Sequence, residues 1–116
     1  MKHDIRKYLY DIKTSIDSIN GYLNEQLGER RDFFAYQSNK LLRRGVEREL
    51  EIIGEAMNQI LKVEPDIDIK DARKIVNTRN WVIHAYDNVD DVIVWGIIIN
   101  HLPRLQKDVE KLLAES

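Results

Sequence analysis

Residues 5–23 read Ile5-Arg6-Lys7-Tyr8-Leu9-Tyr10-Asp11-Ile12-Lys13-Thr14-Ser15-Ile16-Asp17-Ser18-Ile19-Asn20-Gly21-Tyr22-Leu23. The aliphatic positions Ile5, Leu9, Ile12, Ile16, Ile19 and Leu23 are spaced 4, 3, 4, 3, 4. That rhythm draws one stripe along a helix. Lys2, Arg6, Lys13 and Asp17 fall off the stripe. A first helix is expected from about Lys2 to Gln26, ending near Leu27-Gly28.

The same rhythm returns three times. Leu42, Val46, Leu50, Ile53, Met57, Ile60 and Leu61 carry it through a second helix, expected from Asp32 as cap to Lys62, with a bend at Gly45. Glu64-Pro65-Asp66 breaks it. A third helix is expected from about Ile69 to Tyr86, capped by Asp68 or Asp71. A fourth starts at Asp90 or Asp91 and reaches Ala114, kinked by Pro103. Its early part, Val92 to Ile99, is apolar on every side and must be covered on every side, for which a second subunit is the obvious means. The fold class is all-α: a single domain over residues 1–116, an antiparallel four-helix-type bundle that dimerises.

The composition narrows the chemistry. The 116 residues hold 18 Lys+Arg against 20 Asp+Glu, so the net charge of −2 argues against a nucleic-acid grip by the overall field. With no cysteine there is no disulfide, thiolate metal site or cysteine nucleophile. His3, His84 and His101 include no pair one helical turn apart, so no metal site and no cofactor are expected. The five glycines are scattered singly and cradle no phosphate. The start lacks a secretory pattern and the apolar runs are too short for a bilayer, so a cytoplasmic protein without a membrane partner is expected.

One dense constellation remains: Arg79-Asn80-Trp81-Val82-Ile83-His84-Ala85-Tyr86-Asp87. At 100° per residue Arg73, Asn77, Asn80 and His84 share a polar face, while Arg79 interrupts the seam of Ala72, Ile75, Val76, Ile83 and Tyr86. A guanidinium in an apolar seam needs an anion or an interface. Histidine, arginine and asparagine suffice for metal-free RNA cleavage. His84 would move the 2′-hydroxyl proton, Arg79 hold the phosphate, and Asn80 orient an oxygen. By residue chemistry alone, a helix-end ion pair and a C-terminal histidine cap explain the same residues. Arg43, Arg44 and Arg48 could line a phosphate-binding edge, but pairing with Glu47, Glu51 and Glu55 is favoured. Trp81 and Trp95 read as core or interface.

The run Arg79-x4-His84-x-Tyr86 resembles the motif of HEPN-domain proteins of the HepT-like type. Two further blocks share the likeness: Arg44-Gly45-Val46-Glu47-Arg48-Glu49-Leu50-Glu51-Ile52-Ile53-Gly54-Glu55-Ala56, and Asp90-Asp91-Val92-Ile93-Val94-Trp95 followed by Leu102-Pro103-Arg104-Leu105. The resemblance covers about residues 43–113. It implies a helical-bundle RNase toxin whose homodimer joins two Arg–His motifs in one cleft. It also implies a minimal nucleotidyltransferase antitoxin as partner, which transfers AMP to the motif tyrosine, here Tyr86. The reading from another class is a non-catalytic bundle that only binds such a transferase.

Overall fold

A computed structural model describes residues 3–77 and 90–115. Helices α1 (His3–Leu27), α2 (Phe33–Gln37) and α3 (Lys40–Val63) come first. Residues 72–77 are helical, here α4. Helices α5 (Asp91–Asn100) and α6 (Leu102–Glu115) follow. Among the described residues there is no strand, and no helix is long and apolar enough to cross a membrane. The fold is the expected all-α bundle.

The α1 stripe is the spine of the core. Ile5, Leu9, Ile12, Ile16, Ile19 and Leu23 are all buried. They pack chiefly on α3, whose Leu42, Val46, Leu50, Ile53, Met57 and Ile60 are buried as the spacing predicts. Burial of each such aliphatic side chain contributes about 2 kcal/mol. Leu105 and Val109 of α6 close the same core. The two long helices approach closely at Gly45, where an added Cβ would lie 3.3 Å from Tyr22 Cε2. The Tyr22 hydroxyl donates to Glu49 at 2.9 Å across that seam.

Two expected helices are each divided. The second breaks at Ser38 and Asn39, and α3 runs unbroken through Gly45. Asp32 caps α2 as expected, accepting from Ala35 N at 2.8 Å. The Ser38 hydroxyl then donates to the Phe34 carbonyl, and extended Asn39 accepts from Leu42 N at 2.9 Å to start α3. Short polar side chains satisfy the backbone locally and so end one helix and begin the next. The break turns Tyr36 into the core, fully buried.

The fourth breaks at His101 instead of kinking within one helix. His101 N closes α5 on Ile97 O at 2.9 Å, and His101 O accepts from Leu105 N at 3.0 Å. Pro103 has no amide hydrogen for the carbonyl one turn back and so sits in the first turn of α6, where none is needed.

The third helix starts at residue 72 and not at Ile69. Asp71 has φ 63°, a left-handed turn that no helix can run through. Its carbonyl accepts from Ile75 N at 3.1 Å, so it holds the cap position. Its carboxylate turns away to Arg104 of α6 at 3.1 Å.

Candidate functional site

Arg79, Asn80, Trp81, His84 and Tyr86 lie outside the described residues. The structure does define the frame on either side of them. On the upstream side Ala72, Ile75 and Val76 are buried, while Arg73 and Asn77 are exposed. The polar and apolar faces expected for this helix therefore separate as the spacing requires, up to Asn77. The turn before it is fastened to α6 twice, by Arg104 on Asp71 and by Asp108, which accepts from Lys70 N at 3.1 Å.

On the downstream side Asp90 caps α5, accepting from Val92 N at 2.9 Å and Ile93 N at 3.4 Å. The acid at Asp91 suits the positive end of that helix. It also faces Arg43 of α3 at 3.8 Å. Arg43 was expected to pair along its own helix and instead reaches across to α5. The break at Ser38–Asn39 frees α2 to pack on α5, and Asp91 at the start of α5 comes within reach of Arg43. Arg44 and Arg48 pair as expected, with Glu47 at 3.0 Å and Glu51 at 3.4 Å. Glu55 accepts from Gln59 at 3.0 Å. Glu51 and Glu55 line an open groove of about 350 Å³ with Tyr8, Asp11 and Arg48.

Arg43 belongs to a buried polar cluster that sequence reasoning missed. The Tyr36 hydroxyl, Arg43 Nε, Glu47 Oε2 and Asp91 Oδ1 are buried with no hydrogen-bond partner among the described residues. Burial pushes the Tyr36 phenol far above its ordinary range, with Glu47 and Asp91 adding to the shift and Arg43 opposing it. The ring stacks at a tilt on half-buried Trp95, 5.3 Å between centroids. Trp95 thus packs against the core, one of the two roles expected for it. The signal for the cluster was present in Tyr36, an aromatic beside Ser38-Asn39. Only the helix break turns it inward, and spacing did not show that break.

His101 stands at the C-cap of α5, half-buried. Among the described residues no three of His, Asp and Glu converge on a common point.

The frame and the sequence match one family. The ribonuclease HepT-like family is matched over residues 12–112, which includes all of the motif segment. A protein of Thermococcus cleftensis designated "Probable ribonuclease HepT" is 34% identical, over 97% of this chain and 98% of its own. Two candidate RNases of Methanocaldococcus jannaschii are 32% and 31% identical. They cover 94% and 98% of this chain and 96% and 95% of their own. No solved structure gives a significant match. The chain belongs to the ribonuclease HepT-like family.

Proposed function

We propose that this chain is a metal-independent endoribonuclease and the toxin of a two-component cytoplasmic system. The observation that carries the reading is the family match over residues 12–112, with Arg79-x4-His84-x-Tyr86 complete inside it. His84 takes the proton from the 2′-hydroxyl beside the scissile phosphate. The 2′-oxygen attacks phosphorus, and Arg79 holds the charge that grows on the phosphoryl oxygens. Asn80 orients a phosphate or sugar oxygen. The bond to the 5′-oxygen breaks, and that oxygen leaves with a proton from the second His84 of a dimer. The products are a 2′,3′-cyclic phosphate and a 5′-hydroxyl, and no step needs a metal.

The homodimer has its own support. In α5 only Val94 and Ile98 are buried, while Val92, Ile93 and Ile99 are exposed at 63%, 43% and 48%. Such a run on a free surface calls for a cover, and a second α5 supplies one. The second partner is a minimal nucleotidyltransferase antitoxin that adds AMP to Tyr86. Each adduct brings a phosphate beside Arg79 and competes with the substrate's own.

Purified protein should cut single-stranded RNA in EDTA and leave cyclic phosphate ends. A 2′-O-methyl at the cut site should block cleavage. Arg79→Ala and His84→Ala should each lose about 100-fold or more. Cleavage that requires a metal, or that survives His84→Ala, overturns the scheme; a chain that cuts no RNA leaves the binding-only reading. Tyr86→Phe should escape inactivation by the transferase and ATP. Equal inactivation of that variant removes Tyr86 from the regulation.

A further inference from the structure

The chain carries a net charge of −2, yet its cations are unevenly placed. Between Gly28 and Arg44 stand Arg30, Arg31, Lys40, Arg43 and Arg44 against only Glu29 and Asp32. These residues form the corner between α1 and α3, with α2 at its tip. Arg43 and Arg44 are held by Asp91 and Glu47. The other three are available. Arg30 is 83% exposed and meets Asp32 only loosely, at 3.7 Å, a surface pair of little worth. Arg31 donates to the neutral amide oxygens of Asn24 and Asn20, at 3.3 and 3.5 Å. Lys40 is exposed and makes no ion pair among the described residues. Arg30 and Lys40 both line an open cleft of about 410 Å³, together with Leu27 and Ala35.

The same segment of chain carries an exposed aromatic ring. Phe34 is 72% exposed, with its neighbour Phe33 in edge contact at 5.8 Å. Its helix is fixed at both ends, by the Asp32 cap and by Ser38 on the Phe34 carbonyl. A solvent-facing ring on a helix capped at both ends, in the same corner as exposed cations, is the combination that single strands use. Bases stack on the ring and phosphates meet the cations. The first turn of α3 repeats the sign, with Lys40 and Arg43 and no acid at the end where the helix dipole favours anions.

We propose that this corner is a tracking surface for single-stranded RNA. Phe34 stacks one base while Arg30, Arg31 and Lys40 take the neighbouring phosphates. The inference rests on the nuclease reading and deepens it by assigning where substrate outside the cleavage motif is held. Charge decides the occupant: residues 28–44 carry five cations against two acids in a chain of net charge −2, which suits a polyanion.

The test is binding of a fluorescent 2′-O-methyl uridine strand, measured by anisotropy over a salt series and paired with cleavage of the unmodified strand. Phe34→Ala should weaken binding about tenfold and Phe34→Trp should restore it. Arg30→Ala/Lys40→Ala should weaken binding and lower the log–log salt slope by about 1.4, near 0.7 for each lost phosphate contact. Lys107→Ala, an exposed cation on α6, should change nothing. All these positions are at the surface, so thermal unfolding should be unaffected. If the wild type cuts RNA but Phe34→Ala and Arg30→Ala/Lys40→Ala bind as well as it does, the corner serves a protein partner and the proposal is overturned. A loss with Lys107→Ala as large as with the corner variants shows a diffuse field and overturns it too. A wild-type chain that binds the strand through the corner yet cuts no RNA leaves this proposal standing and sinks the nuclease reading.

Discussion

Replacement of Arg43 by methionine should cost the fold far more than replacement of Arg43 and Asp91 together. The pair stands 3.8 Å apart with 24% and 16% of the side chains exposed. At an effective dielectric near 20 the gross attraction is about 4 kcal/mol. Against it stand two unpartnered buried atoms, Arg43 Nε and Asp91 Oδ1, each costing about 1–3 kcal/mol. The pair is therefore close to neutral as a whole, which is the usual state of buried ion pairs. Arg43→Met breaks that balance. It leaves the Asp91 carboxylate without its cation, in a cluster that also holds Glu47 and the unpaired Tyr36 hydroxyl.

The expected loss is about 2–3 kcal/mol, below the range for fully buried pairs because Asp91 keeps some water. For a chain of this size that lowers Tm by roughly 10 °C. Arg43→Met/Asp91→Leu should return to within about 1 kcal/mol of wild type. The residual is the favourable first-turn acid that α5 loses, about 0.5 kcal/mol. Urea unfolding of the wild type, both single variants and the double variant gives the cycle directly. Two outcomes refute the reasoning. One is an Arg43→Met variant as stable as wild type, which would mean that solvent screens the pair. The other is a double variant as damaged as the sum of the singles, which would mean that the two groups do not share an environment.

Three further outcomes follow from the same structure. Gly21→Ala should stabilise by about 1 kcal/mol in urea unfolding, since its Cβ meets nothing within 4 Å inside α1; Gly45→Ala should gain less, because Tyr22, tied to Glu49, must yield to a Cβ at 3.3 Å. Burial raises the Tyr36 phenol, so the folded chain keeps a proton that the unfolded chain releases near pH 10; stability is intact below about pH 10 and falls as pH rises beyond it, and Tyr36→Phe should flatten that alkaline loss in thermal melts. Ile93→Asp on the exposed side of α5 should convert the proposed dimer to a monomer in light scattering while the helical circular-dichroism signal persists.

The periodic faces were legible because they obey one rule along their whole length. Every stripe residue of α1 expected inside is inside, and so are Ala72, Ile75 and Val76. What was not legible is where a stripe pauses. Ser38-Asn39 and His101 interrupt helices without interrupting the 3–4 rhythm, because the chain resumes in a register that still faces the core. Both breaks depend on local polar capping and on proline geometry, which compete with helix continuation by amounts of about 1 kcal/mol. The start at residue 72 was hidden for a different reason. Asp71 takes a left-handed φ that glycine would have signalled, and Arg104, far along the chain, holds its carboxylate. The candidate motif is read from a resemblance and a set of residue types and lies outside the described residues, and Arg43 shows the limit of reading partners from helical spacing. Its helical spacing to Glu47 is good, yet a partner on α5 captures it once the corner folds.

These long-range ties bear on how the motif is held. The segment from residue 78 to 89 is entered from a helix whose buried face is set by Ala72, Ile75 and Val76, behind a turn pinned to α6 by Arg104 and Asp108. It is left at Asp90, which caps α5, and at Asp91, which answers to α3. The anchors on the two sides belong to different helices and are mostly electrostatic. Catalytic groups must be held to a fraction of an ångström, and a small misplacement costs orders of magnitude in rate. Under the proposed mechanism, substitution of Arg104 or Arg43 should therefore change the cleavage rate although neither residue belongs to the motif. Loss of Arg104 frees the turn at the entrance, whereas loss of Arg43 frees the start of α5 at the exit, so the two should combine additively if each acts only on its own side.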